Sequence, residues 1–179
     1  MTTSAATAHT PGASRAWVKP VLAALALATV GAVAYVTLSK RPVAPDVTFV
    51  TVQGDKIAPD ALRGKVVMVN FWATSCATCV AEMPQMVETY NKFKDEGLEF
   101  VAVAMSYDPP NYVVNYADTR KLPFKVALDT DGSAAKAYGD VAMTPTTFVI
   151  AKDGKILKKY VGQPDFPALH QLLAKSLKS

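Results

Sequence analysis

Apolar positions along this chain fall into distinct patterns, and each pattern predicts a different kind of element. The first is an unbroken run, "PVLAALALATVGAVAYVTL", Pro20 to Leu38, which carries no charge. As a helix these 19 residues would extend ~28 Å, close to the ~30 Å of a bilayer's hydrocarbon core. The run predicts a transmembrane anchor over 20–38. A cleaved signal peptide is the alternative, because Ala32-Val33-Ala34 has the small-x-small form of a cleavage site.

Beyond a charged, proline-bearing tether, "SKRPVAPD" (39–46), short apolar runs alternate with helical spacings. "VTFVTV" (47–52) alternates weakly and predicts an edge strand. "KVVMVNFWA" (65–73) is continuous and β-branched, as expected of a central strand buried on both faces. A helix is predicted from Ala77 to Glu96, kinked at Pro84 and stopped at Gly97. "LEFVAVAMS" (98–106) reads as a second buried strand. Pro109-Pro110 open a helix to about Lys121, and "KVALD" (125–129) is a short strand. "TDGSAAKAYGD" (130–140) gives a turn, a short helix and a glycine stop. "TTFVIAKDGKILKKYVG" (146–162) reads as two strands around Asp153-Gly154, a hairpin signal. "PDFPALHQLLAKSLK" (164–178) closes as an amphipathic helix with Phe166, Leu169, Leu172, Leu173 and Leu177 on one side. Strands alternating with helices, then a hairpin and a last helix, predict one α/β domain over 47–179. Its sheet would be mixed, with helices on both faces.

Charge changes the picture only at the N-terminus. The formal charge is +4, yet residues 1–41 hold Arg15, Lys19, Lys40 and Arg41 and no acid, which leaves a body of 15 bases and 15 acids. A nucleic-acid reader carries its basic stripe on the folded part, so nucleic-acid binding is not expected. Residues 1–19 read as a disordered cytoplasmic tail. Arg15 and Lys19 balance Lys40 and Arg41 across the apolar run, so charge gives no orientation. Both readings of the run nonetheless export the body C-terminal to it. The expectation is a single pass through the inner membrane, with the body in the periplasm.

Cys76 and Cys79 are the only cysteines. A loop this short makes a weak staple, and zinc would need further ligands when the only histidines are His9, in the tail, and His170, on the last helix. The remaining reading is a redox dithiol at a helix start just after a strand. There, unpaired N–H groups and the helix dipole stabilise an anion, so Cys76 could ionise and attack a disulfide sulfur. Cys79, one turn in, would be more buried and resolve the mixed disulfide. Glu82 lies three residues further along the same helix face. Spacing alone leaves two roles open for it: a raised-pKa carboxylate that takes the Cys79 proton, or an ordinary solvated glutamate like Glu88.

"VNFWATSCATC" together with "MTPTTFVI" resembles the thioredoxin superfamily, and within it the TlpA-like, ResA-type membrane-anchored thiol–disulfide oxidoreductases, over roughly residues 45–178. The resemblance implies a thioredoxin-like fold and a site of Cys76, Cys79 and Glu82. Glu82 replaces the buried acid that thioredoxins carry where this chain has Asn70. Trp72, Thr144 and Pro145 would shape the docking surface, with Thr144-Pro145 in the cis form. Leu98 to Asp129 would be the family's inserted helix and strand. Ser75 and Thr78 depart from a tryptophan and a proline common at those positions.

The activity implied is reduction of protein disulfides without a metal or organic cofactor. Substrates would be exported disulfide-containing proteins, apocytochrome c among the candidates, and electrons would come from a membrane thiol-reductant transporter. Alternatives are an oxidant or isomerase of the same fold, a thiol peroxidase, and a copper-binding assembly factor. Ala73 stands where a peroxidase needs threonine, and the copper reading lacks both the wider cysteine spacing and the histidines.

Overall fold

A computed structural model describes residues 41–178, together with Ala28 and Thr29. The expected tail, and the expected span 20–38 apart from those two residues, lie outside the described residues. Among the described residues no helix is long and apolar enough to cross a membrane.

The elements from residue 41 onward are β1 (Phe49–Val50), β2 (Lys56–Ile57), β3 (Val66–Trp72), α1 (Ala77–Phe93), β4 (Leu98–Ala104), α2 (Pro110–Arg120), β5 (Lys125–Leu128), α3 (Ser133–Ala137), β6 (Thr146–Ile150), β7 (Ile156–Val161) and α4 (Phe166–Lys178). The main sheet runs β5-β4-β3-β6-β7. β3, β4 and β5 are parallel, while β6 runs against β3 and β7 against β6. This is the mixed sheet expected, with β3 at its centre.

All of β3 is buried, and its period-2 alternation sorts side chains between two cores. Val66, Met68 and Trp72 face the core shared with α1, α2 and α4; Val67, Val69 and Phe71 face the core under α3 and the β1–β2 pair. Helices therefore cover both faces, though unequally. The long helices crowd one face, and the five-residue α3 covers the other with help from the N-terminal segment. α4 inserts Phe166, Leu169, Leu173 and Leu177, and Leu172 sits at the rim of the same core. α1 continues past Pro84, tightens to a 3-10 turn at Lys94–Glu96, and ends at Gly97, whose φ of 102° suits glycine.

Two expectations at the N-terminal edge are corrected. The stretch 47–52 is not an edge strand of the main sheet: only Phe49–Val50 is strand, paired with a β2 that no apolar pattern marked. The strand is so short because the chain then turns, and Thr51 and Val52 bond across to Ala127 and Val126 of β5. Nor is the described part of 39–46 a free tether. Ala44 N–H donates to Gly154 O, and Pro42 O accepts from Ile156 N–H, both at 2.8 Å. The β6–β7 hairpin offered unpaired backbone groups, and this segment satisfies them.

Candidate active site

β3 ends at Trp72, and a tight turn, closed by Cys76 N–H donating to Ala73 O at 3.1 Å, delivers the chain to α1. Cys76 is the N-cap of α1, with extended φ and ψ of −88° and 104°. Its sulfur accepts the N–H of Cys79 at 3.2 Å, as a capping oxygen would. Cys76 and Cys79 are joined as a disulfide with Cα atoms 5.2 Å apart. Cys76 is half-buried and Cys79 fully buried, the asymmetry that their positions on an amphipathic helix predict.

Glu82 is not solvated: it is 1% exposed and sits on the core side of α1. Burial raises its pKa from 4.5 to about 7, opposed by a hydrogen bond from Asn70. That bond is long, Asn70 Nδ2 to Glu82 Oε1 at 3.4 Å, while the same amide donates to Thr147 Oγ1 at 2.9 Å. Asn70 Oδ1, Trp72 Nε1 and Glu82 Oε2 are buried and have no hydrogen-bond partner among the described residues. A carboxylate so placed is costly when charged, which is the physical cause of its raised proton affinity.

Thr144-Pro145 is cis. Thr146 pairs with Phe71 in the β3–β6 register, so this peptide lies at the end of the sheet from which the dithiol turn leaves. Tyr107 Oη lies 3.3 Å from Thr144 Oγ1, and Tyr107, Tyr112 and Met143 are exposed large side chains. Trp72 corrects an expectation. It is wholly buried against Tyr116, so it supports the site from beneath and offers no surface to a partner.

Asp108 was not legible in the sequence. Its carboxylate accepts both the N–H and the hydroxyl of Thr74, each at 2.6 Å, and is 4% exposed. It does not cap α2, whose N-cap is Pro109 with no side-chain cap. His170, weighed above as a metal ligand, is tied to Thr89 Oγ1 at 2.8 Å, well down α1 from the cysteines. Its pKa is lowered by burial and by Lys92. Among the described residues no three His, Cys, Asp or Glu side chains gather so as to hold a metal.

Comparison with known proteins agrees with this geometry. Residues 39–173 match the Redoxin family. The thiol-disulfide oxidoreductase ResA of Bacillus thuringiensis is 37% identical over 133 residues, 74% of this chain and 75% of that protein. Among solved structures, a candidate thioredoxin from Neisseria meningitidis superposes with a TM-score of 0.72 at 36% identity, covering 78% of this chain and 93% of that one. A thiol:disulfide interchange protein of the thioredoxin family from Chlorobium tepidum gives 0.71 at 28% identity, covering 78% and 98%. This chain belongs to the Redoxin family and is a thiol–disulfide oxidoreductase of the ResA type.

Proposed function

We propose that this protein is an exported, membrane-tethered reductase of protein disulfides, with Cys76 as nucleophile, Cys79 as resolving thiol and Glu82 as proton carrier. The observation that carries the reading is the vertical order of the site: a half-exposed sulfur at the helix cap, a buried sulfur beneath it, and a buried carboxyl one turn deeper.

In the reduced protein the Cys79 N–H that now meets Cys76 Sγ favours a thiolate there. That thiolate attacks one sulfur of a substrate disulfide; the other sulfur leaves and takes up a proton. Cys79 then gives its proton to Glu82 and attacks Cys76 Sγ, and the substrate's second sulfur leaves as a thiolate that takes a proton from solvent. The substrate gains two electrons and the protein keeps the disulfide. A carboxyl with a pKa of about 7 populates both its forms at neutral pH, so it can accept this proton and return it when the pair is reduced again.

Thr144 N–H and C=O make no backbone hydrogen bond among the described residues, which leaves them open to an extended partner chain. Exported proteins with cysteines awaiting a metal or haem, apocytochrome c among them, are the substrate class. Regenerating electrons would come from a membrane thiol transporter, and the anchor over 20–38 would keep the domain at the periplasmic face. The experiment is trapping: Cys79→Ala should hold substrate on Cys76 as a mixed disulfide, released by dithiothreitol and identified by mass spectrometry. Recovery of no cysteine-bearing exported protein, while Cys76→Ala gives the same background, would remove this function.

A further inference from the structure

Asp108 is a buried carboxylate that the chemistry above does not use. Among the described residues its oxygens are taken by Thr74 alone, through the backbone N–H and the hydroxyl at 2.6 Å each. No Lys, Arg or His among the described residues pairs with it. Burying an unpaired charge is costly, and a neutral side chain could cap the same turn. Thr74 lies two residues before Cys76, in the turn closed by the Ala73–Cys76 hydrogen bond. The neighbouring residue, Tyr107, reaches Thr144 on the cis-proline loop. One short loop thus touches both lips of the site, and it brings a negative charge to the lip that carries the nucleophile. A second buried acid, Asp129, lines one cavity with Asp108, but its oxygens cap α3 through the N–H groups of Ala134 and Ala135.

We propose that Asp108, through its charge, sets the redox poise of the dithiol. Its charge, fixed against the Thr74 turn, disfavours the Cys76 thiolate and so biases the couple towards giving up electrons. The helix start alone pulls the other way, stabilising the thiolate and hence the reduced form, as in strongly oxidising members of this fold. Asp108 offsets that pull. The inference rests on Cys76 being the nucleophile, and it favours the reductant over the oxidant of the same fold.

The test equilibrates the full chain in detergent with glutathione. In this exchange the protein disulfide takes two electrons and two protons from two glutathione thiols, giving the dithiol and glutathione disulfide. Asp108→Asn should shift the equilibrium on the order of tenfold towards the dithiol, the size of one unit charge acting through a partly desolvated path. Tenfold corresponds to ~30 mV. The rate of Cys76 alkylation should titrate at lower pH in that variant. Thr74→Val, which removes one hydrogen bond and keeps the charge, and Asp108→Glu, which displaces the charge and keeps it, should each stay within threefold of wild type.

An unchanged equilibrium in Asp108→Asn, or an equal shift in Thr74→Val or Asp108→Glu, would overturn the proposal. Should Asp108→Asn not fold, Asp108→Ser takes its place under the same criteria. The two readings fail separately. An unmoved variant beside a wild type that still traps exported substrates through Cys76 removes only the role of Asp108. A wild type that traps none removes the substrate assignment and leaves the effect of Asp108 on the couple measurable.

Discussion

At the scale of single residues, the site turns on a glutamate that folding makes hard to ionise. Glu82 is 1% exposed and its pKa rises from 4.5 to about 7. Between those values the folded protein holds a proton that the unfolded chain has lost, so stability falls as pH rises through the window. The contribution is fully present below about pH 4.5, and roughly 3 kcal/mol of it is gone by pH 7. Glu82→Gln should therefore flatten the stability–pH curve of the oxidised protein between pH 4.5 and 7, as read by urea unfolding. The same variant should slow resolution of the mixed disulfide on the order of 100-fold, measured by stopped flow, while leaving attack by Cys76 intact. A resolving step as fast as wild type across about pH 6 to 9 would return Glu82 to a structural role. The spacing of Glu82 from Cys79 was visible in the sequence. Its burial, and its bond to Asn70, were not, because they depend on α1 lying over β3.

Among elements, legibility tracked length and periodicity. β3 and β4 were plain because each is a continuous apolar run, and α4 because its leucines recur at helical spacing. Such helices owe their stability mainly to the face they bury. Leu173, fully buried on α4, should on replacement by Ala cost about 2–5 kcal/mol, read as a lower urea midpoint with unchanged disulfide exchange in the folded fraction. β1 was legible only as part of a longer alternating stretch, and the two-residue β2 left no mark because nothing periodic fits in two positions; their pairing is set by a turn and by contacts to β5. The docking of residues 42–44 on the hairpin was hidden for a related reason. Backbone hydrogen bonds leave no mark on side-chain pattern.

For the whole molecule, the apolar segment 20–38 carries the largest consequence. If it stays as an anchor, the full-length chain should remain in the membrane pellet after alkaline carbonate extraction, and the body should be cut by protease added outside spheroplasts. A shorter, soluble chain with a new N-terminus near residue 35 would establish the cleaved signal peptide instead. The sequence by itself determined the order of the main-sheet strands and the helices, the dithiol at a helix start and the neutral charge of the body. All of these arise from local propensity, periodicity and composition. Only the tertiary structure decided that Trp72 supports the site from beneath, that Glu82 meets Asn70, and that Asp108 holds the Thr74 turn. The last two contacts join residues 12 and 34 positions apart. They exist because β3 and β4 lie side by side and α1 crosses them, and packing geometry of that kind is a property of the folded chain as a whole.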